Sequence, residues 1–402
     1  MNENGENLPV DEHAEAQPTP PADVSPEMTA EQLAEAKRYG VTRVRCDLLD
    51  RMVDFTYLGV MAWVGGRALD TWLQQSVRLA KCPTLRLIAL FLLVFLGHMA
   101  VSFLLSFYSG HVVEHRFKLS NLTFLAWLWR YAKRMMLAAL FGLVMFVGLF
   151  WMIWTIGVYW WLVAAGAFFL VSVLLGQLAP VLIMPLFYKI TKLDRPELLD
   201  RLGRLVEGTG LSIEGIYRLD LSEETSKANA MLAGLGRTRR VLLGDTLLDQ
   251  CDLDELEVIF AHEVGHHVFH HLRKLMLAGL IYSAAGFWIC DWLIRLWVGT
   301  AGGPFDYAQL PVAALPLIMF ILTVFSSLLE PINNTISRYY ERQSDRYALE
   351  RTGLAGAFIS AFHKLAKLNK EDPNPSWLGV VLFHSHPPIG QRIAMAKAYE
   401  RQ

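Results

Sequence analysis

The chain has 402 residues, 53% hydrophobic and 19% charged, with 37 basic against 38 acidic residues and a net charge of -1. Soluble domains carry about 25% charged residues, and here the deficit is concentrated, since Met135 to Tyr188 is a run of 54 residues without Asp, Glu, Lys, Arg or His. A water-exposed surface cannot be built from that stretch, which excludes a simple soluble enzyme, and the balanced charge gives no field for a nucleic-acid partner.

The first 36 residues are acidic, rich in Pro and Ala, and have no apolar core. They are therefore no secretory signal, and residues 1–45 read as a disordered acidic tail. Residues 46–188 supply four expected spans. Phe55 to Leu73 is weakened by Arg67 and Asp70, and Leu87 to Ser109 is interrupted only by His98. Met135 to about Ile156 and about Val158 to Tyr188 divide the long uncharged block, because a single span needs only about 20 residues. Trp151, Trp154, Trp160 and Trp161 read as an aromatic belt at the outer interface.

Two further spans are expected in a hairpin over 275–330: Leu275 to Val298, carrying Asp291 and Arg295, and the uncharged Tyr307 to Leu329. Charges inside spans are rare and usually paired or functional. The basic loop 110–134 marks the cytoplasmic side by the positive-inside rule. Both termini and the polar segments 189–274 and 331–402 then fall on that side, whereas Arg78, Lys81 and Arg86 in the loop 76–86 run against the assignment. The fold class expected is mainly α, a helical membrane protein of about six spans. A small zinc-peptidase domain with a short β-sheet would be assembled from the two polar segments. Within 189–274, Pro196 to Gly208 and Asp252 to Leu272 read as helices, Gly215 to Leu219 and Thr238 to Leu243 as strands. The four cysteines form no C-x-x-C pair and suggest neither a disulfide framework nor a cysteine zinc site.

The chemistry is carried by His262-Glu263-Val264-Gly265-His266. In an H-E-x-x-H sequence two imidazoles one helical turn apart can hold one zinc ion, and the glutamate can serve as general base. Asp252 followed by Glu255 gives a capping-box spacing that starts the helix, and Leu253, Leu256, Ile259 and Phe260 give it an apolar face. A catalytic zinc needs a third protein ligand. Glu341 is the candidate, with Asp345 four residues on and therefore on the same helix face. One carboxylate can bind the metal while the other accepts the N–H of a ligating histidine. Without the upstream motif, a solvated face salted with Arg338, Arg342 and Arg346 would be the better reading. His267, His270 and His271 follow the motif and read as interfacial groups or as hydrogen-bond partners of the ligands. His98 reads as a buried polar group, and His363 and His384 carry no case.

These motifs together resemble the integral-membrane zinc metallopeptidases of the type I CAAX prenyl protease family, related to the HtpX-like membrane proteases, over roughly residues 52–395. Tyr108 through Ser120, Pro185-Leu186-Phe187-Tyr188-Lys189, Ser226-Lys227-Ala228-Asn229-Ala230 with Gly234, and Ser385-His386-Pro387-Pro388 with Arg392 occur in the family's order. The resemblance implies that Asn229 and Ala230 hold extended substrate by strand addition. It further implies that His386 stabilises the oxyanion and that Arg392 braces the acidic cluster. It also implies one Zn2+ held by His262, His266 and Glu341, with Glu263, His386, Asp345 and Arg392 in the catalytic machinery. Two features depart from the family: the acidic tail stands where a first span is expected, and His115 stands where an acidic residue is usual.

The expected activity is hydrolysis of peptide bonds in hydrophobic, lipid-modified (CAAX-type prenylated) or membrane-tethered polypeptides. The expected location is multi-pass, in a bacterial inner membrane or an ER-type membrane, with the lipid bilayer as partner; the sequence leaves the oligomeric state open. Two other readings remain at this stage: an HtpX-like quality-control protease of misfolded membrane proteins, and a non-catalytic scaffold with a structural zinc. A structural site has no use for Glu263, which favours an enzyme.

Overall fold

The structure, a computed structural model, describes residues 27–211, 213–233, 239–299 and 305–401. The expected acidic tail lies outside the described residues over 1–26, as do Gly234, Thr238 and most of the loop expected at 299–306.

The chain enters through α1 (Ala30–Val60), a π turn, and α2 (Gly66–Gln74). The expectation of disorder to residue 45 is thus corrected from residue 30 onward. Thr29 caps α1 in a capping box with Gln32, and Ala36, Tyr39 and Cys46 form a buried stripe along one face. Tyr39 packs edge-on against Phe117 and donates to Glu114 at 2.7 Å. The tertiary contact of that stripe outweighs the acidic, Ala-rich composition.

After α3 (Val77–Lys81), α4 (Pro83–Phe107) runs into a second π turn and a single turn, α5 (Glu114–Arg116). The uncharged block becomes α6 (Phe124–Ile156) and α7 (Trp160–Leu178), broken at Gly157, whose φ of +71° ends α6. That conformation suits glycine because an L side chain would be strained there. The helix stops at Leu178, short of the expected Tyr188, and Pro180 and Pro185 lie in the π and 3-10 turns that follow. Among the described residues, four segments are long and apolar enough to cross a membrane: Pro83–Arg116, Phe124–Leu186, His271–Val298 and Val312–Thr352. The second of them folds as two helices at Gly157. The α1–α2 rod does not reach that apolarity, but Leu58, Met61, Ala62 and Leu73 share the buried core of the same bundle.

The charges expected inside the bundle are paired, apart from Arg67, which is exposed and lies over the Trp297 ring. Asp291 is 1% exposed and accepts from Trp160 Nε1 at 2.7 Å, from Tyr307 Oη at 2.9 Å and from Arg295. Trp160 is therefore buried at a helix junction and is no member of an interfacial belt, whereas Trp151 is exposed. Asp70 meets Arg86 at 2.8 Å, and His98 meets Asp54 at 2.7 Å.

The polar domain begins with β1 (Ile190–Lys192), α8 (Pro196–Val206), β2 (Ile213–Leu219), β3 (Ala230–Ala233) and β4 (Arg239–Gly244). The sheet order is β1-β2-β4-β3, with β2 and β4 parallel and the other pairs antiparallel. β3 is therefore an edge strand. α9 (Asp245–Leu248) leads into α10 (Leu253–Val268), whose capping box joins Asp252 and Glu255 as the sequence suggests. α10 does not continue to Leu272. His270 adopts a left-handed conformation (φ 57°, ψ 34°), and α11 (His271–Val298) departs in a new direction.

The 38-residue α12 (Leu315–Thr352) joins the two halves of the molecule. It starts later than the expected Tyr307, because residues 307–314 form short 3-10 turns that deliver Tyr307 to Asp291. Its first half packs in the apolar bundle, and its polar second half, beyond Pro331, lies against α10. Helices α13 (Ala355–Asn369), α14 (Trp377–Phe383) and α15 (Ile389–Glu400) complete the domain. Leu256, Phe260, Val264, Ala348, Phe358, Phe362 and Ile393 lie in one core. The segments 189–274 and 331–402 thus share a hydrophobic interior.

Candidate active site

α10 presents His262 and His266 on one face, and α12 presents Glu341 and Asp345 one turn apart. The helices approach closely because Gly265 has no side chain. A Cβ there would stand 3.0 Å from Ser344 Cα. At that crossing Glu341 Oε2 lies 3.2 Å from His262 Nε2, and Glu341 Oε1 lies 3.3 Å from His266 Nε2. The two histidine Nε2 atoms are 3.2 Å apart.

Asp345, fully buried, accepts from His262 Nδ1 at 2.8 Å. The proton of a neutral His262 therefore sits on Nδ1, and Nε2 faces Glu341 with a lone pair. Glu341 Oε2 is buried and has no hydrogen-bond partner, an arrangement that costs free energy in a folded protein. Electron-pair donors of His262, His266 and Glu341 all lie within 4.8 Å of one another. Two imidazole nitrogens and a carboxylate at this spacing fit a divalent metal of the zinc type. Burial lowers the tendency of His262 to hold a proton, yet Asp345 and Glu341 push its pKa up to about 9. The pocket is built to favour positive charge at its centre.

Arg392, 7% exposed, closes the back of the site. Its Nε donates to Asp345 Oδ2 at 2.8 Å, its Nη2 donates to Asp345 Oδ1, and Nη2 lies 3.7 Å from Glu341 Oε2. Its guanidinium sits 4.0 Å over the Phe362 ring. His386 stands at the open side, with Nε2 3.4 Å from Glu341 Oε1. The Ser385 hydroxyl lies 3.0 Å from His386 Nδ1. Donation from that hydroxyl leaves the His386 proton on Nε2, on the side facing the cavity.

Glu263, His262, Asn229, Ala230, His386 and Arg392 line one cavity of about 420 Å³. Ala230 begins β3, and the Asn229 carbonyl accepts from Gly244 N at 2.9 Å, so the outer edge of β3 borders this cavity. Asn369, which the sequence reading missed, receives Ala228 N on its side-chain oxygen at 2.9 Å and ends that edge. A second cavity of about 760 Å³ shares Ala228, Asn229, Phe383 and His384 with the first and is walled by Tyr39, Arg43 and Lys227. Lys227 pairs with Glu114 at 2.8 Å and lies 2.9 Å from Tyr39 Oη. These contacts tie the segment before β3 to α1 and to the loop at 108–120. His115 is exposed, with its Nδ1 2.8 Å from the His111 carbonyl.

The arrangement, an H-E-x-x-H helix beside a glutamate from a second helix, is that of a metallopeptidase site mounted on a helical membrane scaffold. The chain belongs to peptidase family M48, whose family model matches residues 192–400, and a model described as the CAAX prenyl protease N-terminal, five membrane helices, matches residues 12–189. It is 32% identical over 230 residues to the uncharacterized metalloprotease YhfN of Bacillus subtilis, covering 57% of this chain and 54% of that protein. It is 28% identical over 304 residues to CAAX prenyl protease 1 of Saccharomyces cerevisiae, covering 72% and 67%. The match thus spans about half the length of YhfN and about two thirds of the yeast protein. The crystal structure of S. mikatae Ste24p superposes with a TM-score of 0.77 at 22% identity, covering 91% of this chain and 89% of that one. That likeness establishes the multi-span fold.

Proposed function

We propose that the protein is a membrane-embedded zinc metalloendopeptidase acting on hydrophobic, lipid-modified (CAAX-type prenylated) or membrane-tethered polypeptides. The observation that carries this reading is the convergence of His262, His266 and Glu341 within 4.8 Å, with Glu263 lining the same cavity as β3, the edge strand of the described sheet. Zinc bound there supplies a Lewis acid that polarises the scissile carbonyl and acidifies a water. The chain does the rest. Substrate adds as a strand to β3 at Ala230, where main-chain hydrogen bonds hold it without demanding particular side chains. The Glu263 carboxylate takes the proton of the attacking water and delivers it to the leaving amine nitrogen. His386 donates its Nε2–H to the developing oxyanion. Asp345 and Arg392 hold His262 and Glu341 in register. The larger neighbouring cavity adjoins the β3 edge and offers room for a bulky apolar substituent. The basic segment 110–134, which spans α5 and the start of α6, favours a site open to the cytoplasmic side.

The test uses purified full-length protein in detergent with a farnesylated CAAX peptide and its unprenylated twin. Faster cleavage of the farnesylated peptide, abolished by 1,10-phenanthroline and restored by zinc, is the expected result. Equal rates would favour a quality-control protease of misfolded membrane proteins. If neither peptide were cut in a phenanthroline-sensitive way, the peptidase reading would fail.

A further inference from the structure

We infer that His271 and Gln343 form a hydrogen-bond relay that fixes His266 in its metal-binding tautomer, making both of them positioning residues for the site. This inference rests on the metal site proposed above.

The two ligating histidines are held differently. His262 donates to a carboxylate, Asp345. Among the described residues no carboxylate reaches His266 Nδ1, which instead faces another imidazole, His271 Nδ1, at 3.1 Å. Two ring nitrogens can share a hydrogen bond only when one carries the proton and the other a lone pair. The direction is set one step further out. His271 Nε2 lies 2.9 Å from Gln343 Oε1, and the Gln343 amide nitrogen donates to Tyr339 Oη at 3.1 Å. With its nitrogen committed to Tyr339, Gln343 offers His271 an acceptor. His271 therefore carries its proton on Nε2 and accepts from His266 at Nδ1. That leaves the lone pair of His266 on Nε2, facing Glu341 Oε1 at 3.3 Å. The reverse polarity would place a proton on His266 Nε2 and block the metal position.

The backbone is bent to make this contact. Residues five apart on an unbroken helix lie about 140° apart around its axis, so His271 could not meet His266. The left-handed conformation of His270 folds the chain back between α10 and α11. His271 is then 1% exposed and stacks on Tyr340, with ring centroids 4.3 Å apart and planes 13° apart. A neutral relay orients the ligand without adding a further negative charge to a pocket that already holds Glu341 and Asp345. Hydrogen-bond partners of metal ligands typically contribute 10- to 100-fold in metal affinity.

Because His271 is fully buried and its replacement could unfold the domain, the test is placed at the half-buried Gln343. Zinc affinity of full-length protein in detergent is measured by competition with a chromophoric chelator for wild type, Gln343→Glu, Gln343→Leu and Gln343→Lys. The cobalt-substituted spectrum serves as a second readout. Gln343→Glu keeps the acceptor but adds a negative charge, and is expected to stay closer to wild type in both than either other variant. Gln343→Leu should bind about 10-fold more weakly, and Gln343→Lys, which can only donate, more weakly still with an altered cobalt spectrum. Wild-type affinity in Gln343→Lys, or equal losses in the Glu and Lys variants, would overturn the relay. A wild type that binds no zinc would instead refute the metal site on which it rests.

Discussion

Gly265 of α10 lies so close to Ser344 of α12 that a single added carbon would stand 3.0 Å from the Ser344 Cα. This contact sets the distance between the helix bearing both histidines and the helix bearing Glu341. Gly265→Ala must push the helices apart or distort them. Overpacking of this kind costs about 1–3 kcal/mol. We expect a lower unfolding midpoint together with weakened zinc binding; unchanged affinity would show that the crossing does not control the site.

Glu263 lines the cavity without contributing to the three-ligand cluster. Glu263→Gln should therefore keep its metal while losing the proton acceptor, lowering kcat/KM by about 100- to 10,000-fold. His386→Ala should lower kcat by about 100-fold with metal content intact. Steady-state kinetics beside metal analysis checks both, and a glutamine variant of wild-type activity would remove Glu263 from the mechanism.

Arg392 and Asp345 are both buried and joined by two hydrogen bonds. Removing the cation leaves a buried carboxylate short of its partner, which costs about 3–5 kcal/mol. Arg392→Met should fall by that order in stability, whereas Arg392→Met paired with Asp345→Leu should recover stability but not zinc affinity, since His262 then loses its orienting acceptor. Thermal unfolding of the single and double variants decides the matter.

Asp245 gives the polar domain an acid sensitivity. It is 1% exposed and accepts from the backbone N–H groups of Leu221, Ser222 and Thr246 at 2.8, 3.0 and 2.9 Å, and from the Ser222 hydroxyl. Burial alone would raise its pKa, but these donors, Ser222 foremost, hold it below the ordinary carboxylate range. A folded-state pKa below the unfolded value of about 3.9 contributes stability that is complete above that value and lost as pH falls through the folded one. Asp245→Ala should cost about 3 kcal/mol at neutral pH and show a flatter pH dependence of stability below about pH 4. Parallel curves for wild type and variant would contradict this assignment.

The sequence made the metal helix legible because its signals are local: the cap at Asp252, the apolar face and the two histidines one turn apart. Glu341 and Asp345 were legible as a pair on one face, but only in company with the upstream motif. Asn369 and Gln343 carry no local signal, since each acts on a partner 141 or 72 residues away in the chain. The break at His270 was equally hidden, as a left-handed histidine looks like any other helical residue in sequence. The start of α1 was legible in principle. Thr29 and Gln32 have capping-box spacing and Ala36, Tyr39 and Cys46 fall on one helical stripe, yet the acidic composition around them masked the pattern.

The central claim is that residues separated by most of the polar domain's sequence hold one catalytic zinc ion. Metal analysis of purified wild type beside Glu341→Ala tests it most directly. The account predicts one zinc ion per chain in wild type and a large loss in the variant under the same chelator challenge. Equal zinc in the two proteins, or none in wild type, would contradict it.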